Sequence, residues 1–263
     1  MQYVLMCRPT HFDVTYDINP WMSNQIGQVD KISALAQWFL LMDKVSRLAV
    51  VRVLDGVQDK PDLVFTANAG FIHKQIAILS KFSKPQRQPE ELEFKQWFEN
   101  NGYTVVQPTF DYEGEGDHLV DSKGTHWVGT GFRTSKQSKP ELETFLNQQV
   151  NTLELIDPRW YHLDTCFCPL PNGELMWYPK AFTRDSQTLI GKHFTRGVEV
   201  TEEDALAFCC NAVCIDNDIV LPENKHASSS LKKLGYVTHE TPLTEFLKAG
   251  GAAKCLVLHL GEK

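Results

Sequence analysis

Short apolar, β-branched segments separated by polar or glycine-containing breaks recur along the whole chain, and this pattern predicts many short strands. Ten segments show it: residues 3–7, 47–54, 70–79, 103–108, 125–131, 151–156, 174–179, 214–222, 235–240 and 253–260. We expect each of these segments to form one strand.

Apolar residues at helical spacing fall between the predicted strands. Five segments carry them: residues 31–45, 89–102, 139–150, 201–211 and 241–251. Thr201 and Thr241–Pro242 are typical helix starts, and Gly102 and Gly250 are typical helix ends. A helix therefore recurs in about every 50 residues, a period typical of structural repeats. With no linker or low-complexity tract, the pattern predicts a single α/β or α+β domain over residues 1–263.

Composition narrows the class of protein. The chain has 42% hydrophobic residues, 22% charged residues and a net charge of −7. These values favour neither a nucleic-acid partner nor an anionic membrane surface. The longest apolar run, residues 35–42, is flanked by charges and predicts an amphipathic helix rather than a membrane span. The first thirteen residues lack the pattern of a secretory signal.

The seven cysteines suggest no disulfide framework, because their number is odd and their spacing irregular. A reducing cytoplasmic location is therefore expected. "CFC" (166–168) and "CCNAVC" (209–214) lack the paired spacing of a zinc site, so no metal is predicted.

His162 and Asp164, in "WYHLDTCFCPL" (160–170), lie two positions apart. On a strand they would share one face, so they could form a general acid/base beside a cation-binding carboxylate. A surface His–Asp pair is the alternative.

Glu113, Glu115 and Asp117 alternate with glycines in "EGEGD". If the segment is extended, three carboxylates on one face repel, so at least one should point elsewhere. The glycines would permit close approach to a ligand. The segment is either a cation pocket or a solvated turn.

Arg133 in "GTGFRTS" (129–135) and Cys255 in "AKCLVL" (253–258) each have two interpretations. The guanidinium could clamp a substrate carboxylate or form a surface salt bridge. The thiol could be a packed core residue or a nucleophile. Cys255 together with a His–Asp pair and further carboxylates favours a thiol hydrolase acting on a cationic group.

Five short motifs, in chain order, resemble the guanidino-group-modifying enzymes. This superfamily includes arginine deiminase, dimethylarginine dimethylaminohydrolase, the amidinotransferases and the bacterial arginine dihydrolases. The motifs are "PDLVFTANAG" (61–70), "YEGEGDHL" (112–119), "GTGFRTS" (129–135), "HLDTCFCPL" (162–170) and "KCLVL" (254–258). "RPTHFDVTYDINPWM" (8–22) resembles the arginine dihydrolase branch most.

The resemblance implies a fold and a set of roles. The fold is an α/β five-bladed propeller of ββαβ units around a central site. Cys255 would be the nucleophile, His162 the general acid/base, and Glu113 would orient His162 or hold the guanidinium. The implied substrate-binding residues are Asp164, Asn68, Asn19, Arg133, Arg87 and Asp117.

Asn68 stands where arginine deiminase-like members have an aspartate. An amide offers donors and an acceptor without charge, so it tolerates a neutral ureido group as well as a cation. The resemblance therefore implies hydrolysis of arginine to ornithine, ammonia and carbon dioxide, without a metal or organic cofactor. The alternatives are hydrolysis of arginine or dimethylarginine to citrulline, and amidino transfer. A non-catalytic alternative is a propeller module like the ribosome anti-association factor.

The implied partner is a small molecule, arginine or a methylated arginine, with no nucleic acid and no membrane. The sequence leaves open whether the chain assembles as a homo-oligomer.

Overall fold

The computed structural model describes residues 1–262, so Lys263, the last residue of the expected domain, lies outside the described residues. In this range fifteen strands form five three-stranded sheets. The strands are β1 Gln2–Cys7, β2 Val50–Leu54, β3 Gly70–His73, β4 Ile76–Leu79, β5 Thr104–Val106, β6 His118–Val120, β7 His126–Thr130, β8 Val150–Glu154, β9 Phe167–Pro169, β10 Leu175–Trp177, β11 Gly197–Glu199, β12 Val213–Ile215, β13 Asp218–Pro222, β14 Val237–Thr241 and β15 Leu258–Glu262.

One longer helix accompanies each sheet. These helices are α1 Lys31–Ser46, α2 Glu90–Asn100, α3 Lys139–Leu146, α4 Arg184–His193 and α5 Lys225–Lys233. Shorter helical segments are Pro61–Val64, Thr66–Ala69, Gly114–Asp117, Lys136–Ser138, Pro158–Trp160, Leu163–Thr165, Pro179–Ala181, Glu202–Leu206 and Thr244–Leu247. Within residues 1–262, no helix combines the length and the apolar character that crossing a bilayer requires.

All five sheets have the same topology. Two strands pair antiparallel, a helix follows, and the next strand pairs parallel with the middle one, as in β3–β4–α2–β5. The first sheet is completed from the other end of the chain, because β15 pairs antiparallel with β1 while β2 pairs parallel with it. The predicted fold, a five-bladed α/β propeller of ββαβ units, is confirmed.

Apolar packing joins each unit to the next. The largest core cluster connects the third, fourth and fifth units through Trp127, Phe167 and Ile219. A second cluster joins the fifth unit to the first and includes Val220 and Trp38. Burial of each large side chain contributes about 1.5–3 kcal/mol, so these contacts stabilise the ring that the pairing of β1 with β15 closes.

Two predicted single strands are wrong. Residues 70–79 form the β3–β4 hairpin and residues 214–222 lie mostly in the β12–β13 hairpin. Lys74 and Asp216 in their turns have positive φ angles of 55° and 51°. A tight two-residue connection requires such backbone, which apolar periodicity does not reveal.

Two predicted helices are too long and two real helices are missing from the prediction. Residues 201–211 and 241–251 are helical only over Glu202–Leu206 and Thr244–Leu247. Phe208, at φ 57°, turns the chain out of the first of them. α5 contains three consecutive serines, which are weak helix formers, and its buried Leu231 supplies tertiary packing instead.

A buried histidine pair predicts lower stability in acid. His118 Nδ1 lies 2.8 Å from the Tyr112 hydroxyl, and His118 Nε2 lies 2.9 Å from His126 Nδ1. Burial lowers the pKa of His118 well below its ordinary value. In the unfolded chain His118 becomes protonated below about pH 6.5, whereas in the folded protein it stays neutral. The free energy of unfolding therefore decreases as the pH falls below that value.

We expect the buried His118 to lower the free energy of unfolding by about 2 kcal/mol as the pH falls from 6.5 to 5. Urea unfolding of the wild type and His118→Asn at several pH values checks it. The difference between the two proteins should shrink in acid by about that amount. A pH-independent difference would contradict the assignment.

Candidate active site

Each unit carries a polar side chain in the turn that leads into its inner strand. Asn68 precedes β3, Asp117 precedes β6, Asp164 precedes β9, Asn211 precedes β12 and Cys255 precedes β15. Because the five units repeat around one axis, the five turns meet at one end of it. The structure thus brings together residues that lie up to 187 positions apart in the chain.

Cys255 lies in the turn formed by residues 253–256, and not on a strand as predicted from its apolar neighbours. Its side chain is buried. The side-chain amide of Asn211 forms two hydrogen bonds with Cys255. Cys255 N–H donates to Asn211 Oδ1 at 3.1 Å, and Asn211 Nδ2 donates to Cys255 Sγ at 3.1 Å. The turn is fixed by these bonds, since no strand ladder reaches the cysteine.

The thiol donates to Asp164. Cys255 Sγ lies 3.2 Å from Asp164 Oδ2. Burial, and then the nearby Asp164 carboxyl, raise the pKa of the Cys255 thiol well above its ordinary value. Burial also raises the pKa of Asp164 to about 7, against the opposing effect of Lys254. The thiol is therefore protonated at neutral pH.

His162 is held by Glu113. His162 Nε2 lies 2.7 Å from Glu113 Oε2, and since a carboxylate only accepts, this nitrogen carries the proton. Nδ1 is then the nitrogen that can exchange a proton with a reacting group. The predicted arrangement of His162 and Asp164 on one strand face is wrong, because Leu163–Thr165 is a 3-10 turn stabilised by Thr165 Oγ1 donating to His162 O at 2.7 Å.

Charge around Glu113 sets the protonation of this pair. Burial alone would raise the pKa of Glu113, but Arg133 and His162 together hold it well below its usual range. Burial lowers the pKa of His162 to about 4 despite the attraction of Glu113. At neutral pH the site therefore holds an ionised Glu113 and a neutral His162, the form that can take up a proton.

"EGEGD" is neither extended nor solvated. Gly114–Asp117 form one helical turn and are buried. A side chain at Gly116 would place Cβ 2.2 Å from Asn68 Nδ2 and 3.3 Å from His162 Nδ1, so only glycine permits this approach. Glu115 points elsewhere, as its expected repulsion suggests: its Oε2 accepts from Lys254 Nζ at 2.6 Å.

Asn68 lies in the 3-10 turn Thr66–Ala69, and Pro61 opens the preceding turn Pro61–Val64. Arg87 NH1 donates to Asn68 Oδ1 at 2.8 Å, while its other nitrogens donate to Glu90. Asn68 Nδ2 is buried without a partner. Because arginine only donates, the amide is oriented with its own donor free.

Arg133 is not in a surface salt bridge, since it is buried and NH1 donates to Glu113 Oε2 at 3.0 Å. Its NH2 donates to Ile18 O, and its guanidinium lies 4.6 Å from the centre of the Tyr161 ring. Arg133 thus supports Glu113 as well as facing the site.

Asn19 is hydrogen-bonded within the protein, and so is one oxygen of Asp117, whereas Asp117 Oδ2 is buried without a partner. Asn19 Nδ2 donates to Ala249 O at 3.1 Å and its Oδ1 accepts from Trp21 N. Asp117 Oδ1 accepts from Leu163 N at 3.0 Å and so fixes the turn after His162. Their substrate contacts, like those of Arg87, stay predictions.

A small cavity, here called the thiol cavity, lies against Cys255. Its walls include Asn19, Asp62, Asn68, Arg87, Arg133 and Tyr161. Its volume is about 10 Å³, roughly the space that one water needs. Gly250 and Gly251 line it, but a Cβ at Gly251 would lie 2.4 Å from the Phe65 ring. An amino acid can enter only if the surrounding loops move.

Sequence reasoning missed Asn211, Asp62 and Tyr161. Asn211 lies within "CCNAVC", a motif considered only for metal binding, although its position before an inner strand matches that of Cys255. Asp62 lies within "PDLVFTANAG" (61–70), where no role is assigned to it; its Oδ2 accepts from the Tyr16 hydroxyl at 2.9 Å and its Oδ1 has no partner. Tyr161 donates its hydroxyl to Gly250 O at 2.8 Å. Each unit has a polar residue in the turn before its inner strand, and this repeated position is the signal that points to Asn211.

Asn211→Ala should weaken the reactivity of the thiol. Loss of the amide leaves Cys255 N–H unpaired and removes a donor to sulfur, so we expect the apparent pKa of Cys255 to rise and kcat to fall by about 10²-fold. The rate of thiol alkylation against pH, with kcat and KM, checks it. Asn211→Asp keeps the acceptor for Cys255 N–H and adds a negative charge, so it should be slower still. Wild-type kcat in both variants would contradict the role.

The ring of five ββαβ units, with a thiol, a histidine and carboxyl groups in the turns before its inner strands, matches the guanidino-group-modifying superfamily. The profile of the family "N,N dimethylarginine dimethylhydrolase, eukaryotic" matches residues 15–261. The chain belongs to this dimethylarginine dimethylaminohydrolase family.

Relatives of two kinds are similar to the chain. The bifunctional arginine dihydrolase/ornithine cyclodeaminase AgrE of Nostoc sp. is 46% identical over 98% of the chain, but the chain spans 38% of that protein's length. The N(G),N(G)-dimethylarginine dimethylaminohydrolase of Mycobacterium tuberculosis is 35% identical, over 97% of the chain and 84% of that protein. The N-terminal domain of ArgZ, a cyanobacterial arginine dihydrolase crystallised as a cysteine-to-serine mutant with substrate, superposes with a TM-score of 0.98 at 42% identity, over 100% of this chain and 99% of that one.

Proposed function

We propose that the chain is a cysteine-dependent hydrolase of the guanidinium group of arginine, and specifically an arginine dihydrolase. The carrying observation is that Asp62 Oδ1, Asn68 Nδ2 and Asp164 Oδ1 are buried without hydrogen-bond partners around Cys255. Buried polar atoms are costly to leave unpaired, so a cluster of them marks the place where a polar group of a ligand binds. Two acceptors and one donor suit a group that changes from a guanidinium to a ureido group.

Substrate charge activates the thiol. A guanidinium is planar and always charged, so its burial requires carboxylates such as Asp164 and Asp62. Its positive charge lowers the pKa of both Asp164 and Cys255, and the S–H proton passes to His162 Nδ1 as the substrate binds, so that His162 holds the proton that the leaving nitrogen needs. The thiolate then lies against the guanidinium carbon. Arg133 retains N–H donors for the substrate's α-carboxylate.

The chemistry proceeds in two similar rounds. Cys255 Sγ bonds to the guanidinium carbon, the bond from that carbon to a terminal nitrogen breaks, and His162 protonates the departing ammonia. His162 then takes a proton from water, which attacks the same carbon and releases the thiol and a ureido group. A second attack and hydrolysis release another ammonia and a carbamate, which gives ornithine and carbon dioxide. The sum is arginine plus two waters to ornithine, carbon dioxide and two ammonia.

Asn68 favours dihydrolysis over release of citrulline. Its free Nδ2 can donate to the ureido oxygen, which a carboxylate at this position would repel. The intermediate is thereby retained for a second attack. The similarity to arginine dihydrolases over nearly the whole chain supports the same choice. Hydrolysis of dimethylarginine is the second candidate, supported by the matching family profile and the mycobacterial relative.

A substrate panel tests the proposal. Arginine, dimethylarginine, citrulline and agmatine are incubated separately with the enzyme, and ammonia, ornithine, citrulline and dimethylamine are measured. The proposal expects ornithine from arginine, and little turnover of agmatine, which lacks the carboxylate. Dimethylamine from dimethylarginine, without turnover of arginine, would establish the second candidate instead.

A cationic alkylator should modify Cys255 faster than a neutral one. Chloroacetamidine carries a planar cation, whereas chloroacetamide has nearly the same shape without charge. Because the cation can stabilise the Asp164 carboxylate and the thiolate, we expect at least about a tenfold faster inactivation, which corresponds to about 1.4 kcal/mol. Cys255→Ser serves as the control for labelling at other cysteines. Equal inactivation rates would argue against a guanidinium-shaped site.

A further inference from the structure

A second, larger cavity lies on the propeller axis beyond the ring of turns, here called the rear cavity. Its volume is about 300 Å³. The innermost strand of every unit contributes to its wall: Phe71 of β3, Leu119 of β6, Phe167 of β9, Cys214 of β12 and His259 of β15. The rear cavity therefore lies along the propeller axis, between the innermost strands of the five units.

The rear cavity runs from the surface to the catalytic centre. At one end Val120 is 38% exposed, and at the other Asp164 is 1% exposed. Asp164 is also the acceptor of the Cys255 thiol, at 3.2 Å. One carboxyl group thus separates the nucleophile from a space with room for several waters.

Paired charges line both cavities. In the thiol cavity the guanidinium groups of Arg87 and Arg133 each have a carboxylate partner, and a further carboxyl group lines the wall. In the rear cavity Lys254 is paired with Glu115 at 2.6 Å, and Asp164 adds a further carboxyl group. The rear cavity therefore offers water and ammonia a polar wall directly beside the nucleophile.

We propose that the rear cavity is a passage through which water enters and ammonia leaves, while the amino-acid part of the substrate stays enclosed on the other side of Asp164. The inference rests on the proposed function, in which two waters are consumed and two ammonia molecules are released around one retained ureido intermediate. The thiol cavity, at about 10 Å³, leaves no route past a bound amino acid.

Bulky substitutions that fill the rear cavity test whether it is a passage. Leu119→Trp and Cys214→Phe add bulk to the rear cavity from two different sheets, and Leu119→Ala and Cys214→Ala are the matched controls that widen it. Hydroxylamine is supplied as a small nucleophile: it attacks the thiouronium carbon in place of water, breaks the C–S bond and gives N-hydroxyarginine and the free thiol. The ratio of N-hydroxyarginine to hydrolysis products is measured, together with kcat and the citrulline fraction.

We expect the filling variants to lower the trapping ratio and kcat about tenfold and to release citrulline, because the thiol cavity must then open between the two rounds. The widening controls should keep the wild-type trapping ratio or raise it. Chloroacetamidine labelling of Cys255 at the wild-type rate shows that the site is intact. Filling variants with intact labelling, wild-type trapping and wild-type kcat would overturn the passage, whereas a wild type that releases no ammonia from arginine would overturn the proposed function itself.

Discussion

Cys255→Ser should lower kcat for arginine by about 10⁴-fold or more while leaving the fold intact. The serine hydroxyl can still donate to Asp164 and accept from Asn211, so both hydrogen bonds of the thiol have a replacement. A hydroxyl does not ionise under these conditions, and neutral His162 interacts with Glu113 rather than with residue 255. The substrate should still bind, because the proposed contacts of its guanidinium and carboxylate are unchanged.

Single-turnover kinetics and calorimetric binding of arginine measure this expectation. Cys7→Ser, at a buried thiol of β1, is the matched control and should keep nearly all activity. Ammonia release by Cys255→Ser at more than about a hundredth of the wild-type rate would show that the thiol is not the nucleophile.

Glu113→Gln should cost both activity and stability. The carboxylate is fully buried and accepts from His162 Nε2 at 2.7 Å and from Arg133 NH1 at 3.0 Å. Its removal leaves the positive charge of Arg133 buried and unpaired, which typically costs about 3–5 kcal/mol. The neutral amide no longer stabilises the imidazolium that forms during proton transfer. We expect kcat to fall by about 10³-fold or more.

The pH profile separates catalysis from mere structural damage. In the wild type the Glu113 carboxylate opposes the burial that lowers the pKa of His162 to about 4. Without the carboxylate this pKa should fall further, so the acid limb of the kcat profile should move to lower pH. Asp121→Asn is the control, because Asp121 Oδ2 forms a comparable pair with His193 at 2.6 Å outside the site. It should lose stability with kcat preserved; equal losses of kcat in the two variants would contradict the role of Glu113.

The sequence predicts those helices whose hydrophobic periodicity is continuous within the segment itself. The helices 31–45, 89–102 and 139–150 were recognised because they carry continuous amphipathic periodicity. The helix at Lys225–Lys233 was not, because its serines suit turns and the helix depends on contacts made after folding. The ββαβ repeat was identified through the family resemblance and not through self-similarity of the sequence. The boundary of the domain at residues 1–263 and the state of assembly stay predictions.

The sequence predicts the residues of the site, but not the backbone conformation that holds them. The five short motifs predict which residues belong together, yet the sequence pattern places residues 162–164 and 253–255 on strands. Each instead lies in a turn that ends before its inner strand begins. A turn lets one polar side chain face the axis, whereas a strand would alternate its side chains between two faces. Asn211 shows the limit of motif reasoning, since its contacts with Cys255 come from a segment 44 residues away.

Following doubly labelled arginine in a single reaction distinguishes dihydrolysis from the release of citrulline. With ¹³C at the guanidinium carbon and ¹⁵N at its terminal nitrogens, NMR can detect arginine, ureido and carbonate carbon together with released ammonium. Dihydrolysis predicts two labelled ammonium ions for each ornithine, ¹³C label in carbonate, and no accumulation of free citrulline. One ammonium for each citrulline, with the ¹³C label remaining in the ureido group, would contradict it.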